Sequence, residues 1–196
     1  VVTAFPDADY VLDYWLRDGN NAGSANPFTL LMMDDHTLQP VFAKINYTLT
    51  ILTATGGATN PAAGIYTYVS GSYASVNALP SANYFLDYWL LDGSNAGSVN
   101  PTSILMDKDH TLQAVFSLIN YTLTITTSTG GSTNPAPGTY TYVNGTSVDV
   151  TAIPDTYYIL DYWLLDSNKA GSTNPFTVLM TSNHTLQPIF ARINYT

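Results

Sequence analysis

The sequence contains no cysteine and no glutamate, and only five of its 196 residues are lysine or arginine. The absence of cysteine excludes disulfide bonds and thiolate metal sites. The net charge of −9 comes from 14 aspartates, so few cations are present to contact the phosphates of a nucleic acid. No apolar run approaches the roughly 20 residues of a membrane-spanning helix. We therefore expect no nucleic-acid partner and no membrane span.

The residues that are abundant favour β-strands. Fifteen tyrosines accompany many threonines, valines and isoleucines, all of which fit the pleated surface of a sheet. Lysine and arginine, which are common on the surfaces of helices, are rare. Hydrophobic residues make up 45% of the chain, which is enough to bury a core and excludes a disordered segment. The composition predicts an all-β fold.

The sequence repeats itself with a step of 74 residues. The segment Ile45-Asn46-Tyr47-Thr48 recurs at Ile119 and at Ile193 without any gap. The copies should therefore share one backbone, because a slip of one residue would turn the core face of a strand outward. We predict a tandem array of β-rich domains, with a partial copy at 1–46, complete copies at 47–120 and 121–194, and the start of a further copy at 195–196.

Counting residues 195–196, the chain falls 26 residues short of three complete copies, and the missing residues are the counterparts of 49–74, which hold the first strands of a copy. An open strand edge invites pairing with another chain. Two explanations are open: the sequence is a window on a longer array, or a neighbouring chain supplies the missing strands. The second explanation predicts donor-strand complementation between chains and growth into an open fibre.

Within a copy, apolar residues alternate with threonine, as at Tyr47, Leu49 and Ile51, which predicts a half-buried strand. Residues 103–106 and 111–116 are predicted to form a hairpin around the polar stretch between them.

The boundary between copies is short. Apolar residues occupy even positions up to Phe116 and odd positions from Ile119 onward, so the inward face of the chain is expected to switch near Leu118. The last strand of one copy leads almost directly into the first strand of the next. A connection this short predicts a stiff array.

Polar sequences that recur in each copy offer no recognisable catalytic or metal site. Asp35-His36 and Asp109-His110 could begin a catalytic pair, yet the third copy has Asn183-His184, and no nucleophile is recognisable. We interpret these pairs as turns in which Asp or Asn accepts backbone hydrogen bonds. The Asp-Gly and Asp-Ser sequences after the tryptophan segments lack the ligand spacing of a calcium loop. We expect no catalytic residues, no metal and no cofactor.

Each copy contains one tryptophan, which we predict to be a core anchor, with a platform for stacking sugars as the alternative. These residues are Trp15, Trp89 and Trp163. Tyrosines two positions apart share one face of a strand and are candidates for a contact surface. They are Tyr66, Tyr68, Tyr140 and Tyr142.

Five Asn-X-Ser/Thr sequences are candidate sites of N-glycosylation, and three of them recur at the boundary between copies. They are Asn46, Asn120, Asn144, Asn183 and Asn194. A sugar at the boundary would decorate an array once per copy.

The repeated unit resembles the divergent internalin-type B-repeats of bacterial and archaeal surface proteins. The resemblance rests on Tyr-Thr-Leu-Thr-Ile from Tyr47, the Gly56-Gly57 turn, Tyr-Phe-Leu-Asp-Tyr-Trp from Tyr84, and His-Thr-Leu-Gln-Ala-Val-Phe from His110. It implies small β-rich domains, related to the β-grasp type with a short helix, strung in tandem as stalks and adhesive spacers. It implies no catalytic residues.

We therefore predict a non-enzymatic repeat protein that forms an extracellular filament, pilus-like fibre or cell-surface stalk, with copies of itself or further repeats as partners. The alternative is an adhesin or carbohydrate-binding array that gains avidity for cell-surface glycans from repeated weak sites.

Overall fold

The computed structural model describes residues 1–194, and within them it contains strands and no helix. The predicted all-β fold is confirmed, and the short helix of a β-grasp domain is absent from these residues. No segment within 1–194 forms an apolar helix long enough to span a membrane. The strands are β1 (Tyr10–Arg17), β2 (Asn20–Asn21), β3 (Leu38–Lys44), β4 (Asn46–Ile51), β5 (Gly57–Asn60), β6 (Gly64–Val69), β7 (Tyr73–Pro80), β8 (Tyr84–Leu91), β9 (Ser94–Asn95), β10 (Thr102–Leu105), β11 (His110–Leu118), β12 (Asn120–Ile125), β13 (Gly131–Asn134), β14 (Gly138–Val143), β15 (Ser147–Pro154), β16 (Tyr158–Leu165), β17 (Asn168–Gly171), β18 (Phe176–Leu179) and β19 (His184–Arg192).

Each complete copy consists of a five-stranded sheet and a three-stranded sheet. In the second copy the strand orders are β6-β4-β11-β8-β9 and β10-β7-β5, and in the third copy they are β14-β12-β19-β16-β17 and β13-β15-β18. The first and last long strands of a copy pair in parallel, with Leu49 opposite His110 and Leu123 opposite His184. The 74-residue period is therefore also a period of strand register.

The core of each copy is formed by the inward faces of its strands. Leu49 and Ile51 of β4 and Ala74, Val76 and Ala78 of β7 are all at most 3% exposed. In the third copy the equivalent cluster surrounds Trp163 and comes from strands of both sheets. Alternation of apolar and polar residues thus produces two half-buried sheets that cover each other.

The inward face of the chain switches between β11 and β12, as predicted. Leu112, Ala114 and Phe116 are buried at even positions, and Leu123 and Ile125 are buried at odd positions. The single residue between these two strands is Ile119.

The hairpin predicted for residues 103–106 and 111–116 is wrong. Strand β10 pairs antiparallel with β7 in the three-stranded sheet, whereas β11 lies between β4 and β8 in the five-stranded sheet. The polar stretch between β10 and β11 therefore connects the two sheets. A short polar segment between two apolar runs fits either arrangement, and packing of the distant strand β7 decides between them.

The chain divides into two compact units. One comprises Val1–Leu79 and Leu86–Phe116, and the other comprises Pro80–Phe85 and the residues from Ser117 onward. The first unit contains the partial copy, whose sheet has the order β2-β1-β3 and whose Val2 and Phe28 form an isolated bridge. The partial copy leaves apolar side chains uncovered: Met32 is 64% exposed, whereas the equivalent Met106 and Met180 are 0% exposed.

Candidate functional site

An aspartate and a histidine meet in every copy, and we call each of these an Asp–His pair. Their members are Asp18 with His36, Asp92 with His110, and Asp166 with His184. The histidine Nδ1 lies 2.8, 2.8 and 2.6 Å from the aspartate Oδ2. The same pair thus forms three times, between residues 18 positions apart.

The local backbone explains how the aspartate is positioned. Asp92 and Gly93 have φ angles of 50° and 79°, which gives the type I′ turn that connects β8 to β9. The Thr111 N–H donates to Asp92 Oδ1 at 2.9 Å, and the Asp92 N–H donates to the Thr111 carbonyl at 2.9 Å. One carboxylate therefore ties the tip of a hairpin to the start of the central strand β11.

Hydrogen bonds to the carboxylate stabilise its charged form. The backbone N–H of Thr111, with smaller contributions from the His110 and Lys108 side chains, lowers the pKa of Asp92 from 3.8 to about 2 despite some opposing desolvation. The backbone N–H of Thr37 lowers the pKa of Asp18 in the same way, and that of Thr185 lowers the pKa of Asp166. All three aspartates are thus held as acceptors.

The second ring nitrogen of the histidine has a different partner in each copy. The Nε2 atom lies 2.8 Å from Arg17 Nη2 in the first copy, 3.1 Å from Asp107 Oδ1 in the second and 3.2 Å from Ser182 Oγ in the third. A Ser-His-Asp order therefore occurs in one copy alone. The feature shared by all copies is the tie from the aspartate to the backbone, which is a structural role.

The aspartates next to the histidines in sequence play another part. Asp109 Oδ1 accepts hydrogen bonds from the backbone N–H and the hydroxyl of Thr48, at 2.7 and 3.0 Å. Asn183 Oδ1 accepts from the Thr122 N–H at 2.8 Å. These side chains accept from a backbone N–H of β4 or β12, 61 residues away in sequence, and not from the backbone of their own turn, so their interpretation as local acceptors is wrong. The true partners of the histidines were also missed. Within residues 1–194, no three His, Asp or Glu side chains are grouped so that they could hold a metal ion.

The Asp–His pairs predict a loss of stability in acid. The pKa of Asp92 is lower in the folded chain than in the unfolded chain. The stability that Asp92 contributes is therefore complete above the unfolded pKa of 3.8 and is lost as the pH falls through the folded pKa. We expect the melting temperature to fall between about pH 4 and pH 2. The Asp92→Asn variant should have a lower melting temperature at pH 7, and its melting temperature should fall less steeply over this interval. Thermal unfolding followed by circular dichroism at each pH measures both. Equal slopes for the two proteins would contradict this role.

The boundary between copies forms a second recurring polar feature, which we call the repeat junction. In the first compact unit, the Ile45 N–H donates to the Asp9 carbonyl and the Ser70 N–H donates to the Ile45 carbonyl, both at 2.8 Å. The buried Ser70 hydroxyl also donates to Asp9 Oδ1 at 2.5 Å. A turn of the first copy is thus bonded through Ile45 to a turn of the second.

The same repeat junction recurs 74 residues later. In the second compact unit, the Ile119 N–H donates to the Asn83 carbonyl at 2.8 Å, and the Asn144 N–H donates to the Ile119 carbonyl at 2.9 Å. Asn144 Nδ2 donates to Asn83 Oδ1 at 3.1 Å. Asp9 and Asn83 both have positive φ, of 66° and 67°, which Asp and Asn tolerate better than other side chains. Hydrogen bonds therefore join neighbouring copies at the repeat junction. The side-chain pairs Asp9–Ser70 and Asn83–Asn144 were not predicted from the sequence.

The three tryptophans are buried, with exposures of 2%, 0% and 0% for Trp15, Trp89 and Trp163. Their indole N–H groups donate to backbone carbonyls 10 residues away. Rings buried in this way offer no face for stacking a sugar.

The four tyrosines predicted as a contact surface are half-buried. Tyr140 and Tyr142 pack against the core of the third copy, and the hydroxyls of Tyr66 and Tyr140 donate to the Ala62 and Ala136 carbonyls. The structure thus places Tyr140 and Tyr142 on the core-facing side of β14, and Tyr66 and Tyr68 occupy the equivalent positions of β6.

The candidate glycosylation sites differ in accessibility. Asn46, Asn120, Asn183 and Asn194 are exposed, while Asn144 is half-buried in the repeat junction. Glycosylation of these residues stays a prediction.

Two surface hollows of the described residues are small. One of about 180 Å³ is lined by Leu52, Thr59 and other residues up to Ala63, and one of about 220 Å³ is lined by Leu164, Gln187 and three hydroxyl side chains. Both lie below the roughly 300–1,000 Å³ of typical small-molecule pockets, and no ionisable side chain lines either one.

The chain is similar to a known family of repeats. The model of the divergent InlB B-repeat domain matches residues 1–46, 47–120 and 121–194. No curated protein and no solved structure shows a significant match.

Proposed function

Because the chain belongs to the divergent InlB B-repeat family, which is associated with surface proteins, we propose that it forms a stiff, non-enzymatic section of an extracellular stalk or filament. The observation that carries this proposal is the repeat junction, which replaces a flexible linker by a network of hydrogen bonds at Ile45 and again at Ile119. In repeat arrays each repeat contacts only its neighbours, so a fixed contact at every boundary limits bending of the array. The shared structural role of the Asp–His pairs supports a function without catalysis.

Stiffness at the junction can be measured directly, because the chain has no native cysteine. Ser24 and Ser98 are exposed, equivalent positions of the first and second copies within one compact unit. With both changed to cysteine and spin-labelled, electron–electron resonance should give a single narrow distance distribution. Inserting Gly-Gly-Ser-Gly after Ile45 should broaden it. An intact chain as broad as the insertion variant would contradict the proposal.

The exposed apolar side chains of the first copy support strand complementation as a finer part of the proposal. In the second copy, Met106 exchanges backbone hydrogen bonds with Gly71 and Ser72, and the first copy has no counterparts of these residues. A segment equivalent to residues 47–74, supplied by the same or another chain, would cover Met32. Its supply by a neighbouring chain would join chains into a filament.

A further inference from the structure

The outer strand of the large sheet has an edge that is free of charge in each complete copy. Strands β6 and β14 end their sheets, and we call their outward sides the open edges. The Thr48 N–H donates to Asp109, beside β11. Successive residues of a strand direct their backbone groups to opposite sides, so Tyr47 and Leu49 direct theirs toward β6. Their partners Tyr68 and Tyr66 are therefore bonded to β4, and Ile65 and Thr67 direct their N–H and C=O groups outward.

The outward backbone groups have no partner within the described residues. Ile65 and Thr67 occupy non-hydrogen-bonded positions of the pairing with β4, and no other backbone hydrogen bond involves them within residues 1–194. The strand ends where Ser72 closes it, because its N–H and hydroxyl both donate to the Val69 carbonyl. The Ile65 side chain is 71% exposed.

The strands that form the open edges carry no charged side chain, although the Asp9 carboxylate contacts Ser70, directly after β6. Residues 45–86 and 111–148 contain no Asp, Glu, Lys, Arg or His, and β6 and β14 lie within these ranges. The opposite side of the sheet carries Asp87 and Asp92 in the second copy. With a net charge of −9, two chains repel one another, and approach through the uncharged strands β6 and β14 keeps most of the like charges farther apart.

Proteins commonly protect exposed edges with charge, proline or short strands. The other sheet edges of the second copy are short: β9 has two residues, and β5 and β10 have four each. Strand β6, with the sequence Gly-Ile-Tyr-Thr-Tyr-Val, has six residues and none of these protections. β-branched and aromatic residues such as these favour strand pairing.

We propose that the open edge binds a second copy of this chain, in antiparallel pairing about a two-fold axis through Thr67. In this register Thr67 of one chain faces Thr67 of the other chain, and Ile65 of each chain faces Val69 of the other. The two Thr67 residues exchange both backbone hydrogen bonds, and each Val69 N–H donates to an Ile65 carbonyl. The equivalent axis on β14 passes through Thr141. The result is lateral pairing of arrays, which is distinct from head-to-tail growth and independent of the proposed function.

Single cysteines test the register in a chain that otherwise has none. Across the proposed axis, Thr67→Cys places two thiols on residues whose Cα atoms are about 5.5 Å apart, which suits a disulfide. Ile65→Cys on the same edge places them roughly 13 Å apart, four residues along the strand. We expect at least tenfold more disulfide-linked dimer from Thr67→Cys than from Ile65→Cys in a glutathione buffer. A mixture of Ile65→Cys and Val69→Cys chains should form the mixed dimer.

A second variant removes the pairing without changing the intramolecular ladder. Thr67→Pro deletes an outward N–H, at an edge position that tolerates proline, and the same change at Thr141 blocks the third copy. Sedimentation over a concentration series should show self-association of the native chain and its loss in the double proline variant, with the circular dichroism spectrum unchanged. Equal crosslinking at positions 65 and 67, or a native chain that is monomeric at every concentration, would overturn the proposal.

Discussion

Replacing Trp163 with alanine is expected to lower the free energy of unfolding of the third copy by about 3–5 kcal/mol. Trp163 is fully buried, its ring centroid lies 5.9 Å from that of Phe176, and its Nε1–H donates to the Thr173 carbonyl at 3.0 Å. Alanine would leave a cavity in the cluster that contains Leu123 and Val150 and would remove the donor for this carbonyl.

Hydrogen exchange measured on peptides from residues 121–194 isolates this effect. Trp163→Phe keeps part of the ring volume and should cost less. Lys169→Ala should cost about 1 kcal/mol or less, because it removes only a cation 4.1 Å from the Tyr162 ring centroid. Fluorescence of Trp15 and Trp89 should report an unchanged first unit. A cost below about 1 kcal/mol for Trp163→Ala would show that this tryptophan does not anchor the core.

Local patterns were sufficient to predict the strands and the repeat. Alternation in β4 and β12 is visible residue by residue, and the switch of inward face around Ile119 follows from counting apolar positions. Strand partners were harder to predict, because the alternation of β10 and β11 fits either a hairpin or two sheets. Only the packing of β7 against β10 separates these arrangements.

The polar sites show the same division between local and distant information. Asp109 adjoins His110, and the two residues were interpreted as one turn, whereas the fold brings Asp92 to His110 through the β8–β9 turn. A signal was present: aspartate recurs at positions 18, 92 and 166, but position 109 becomes Asn183 in the third copy. Asn100 was similarly missed. Its side chain exchanges two hydrogen bonds with the backbone of Ala78, a contact across 22 residues.

Met32 and Met106 occupy equivalent positions in the first two copies, and replacing each by alanine should change the free energy of unfolding by different amounts. Met106→Ala is expected to cost about 2–5 kcal/mol, since Met106 is 0% exposed. Met32→Ala should cost no more than about 0.5 kcal/mol, since Met32 is 64% exposed. Chemical denaturation of the two single variants gives both free energies, and hydrogen exchange locates each change in the chain.

Completing the first copy should abolish this difference. When residues 47–74 are duplicated immediately before Val1, counterparts of Gly71 and Ser72 become available to the backbone of Met32, as they are to Met106. Met32→Ala should then cost nearly as much as Met106→Ala. The same segment added as a separate peptide should protect the amides around Met32 from exchange if complementation acts between chains. A Met32→Ala variant that remains without cost in the extended chain would show that these strands do not cover the first copy, and complementation would then have no physical basis.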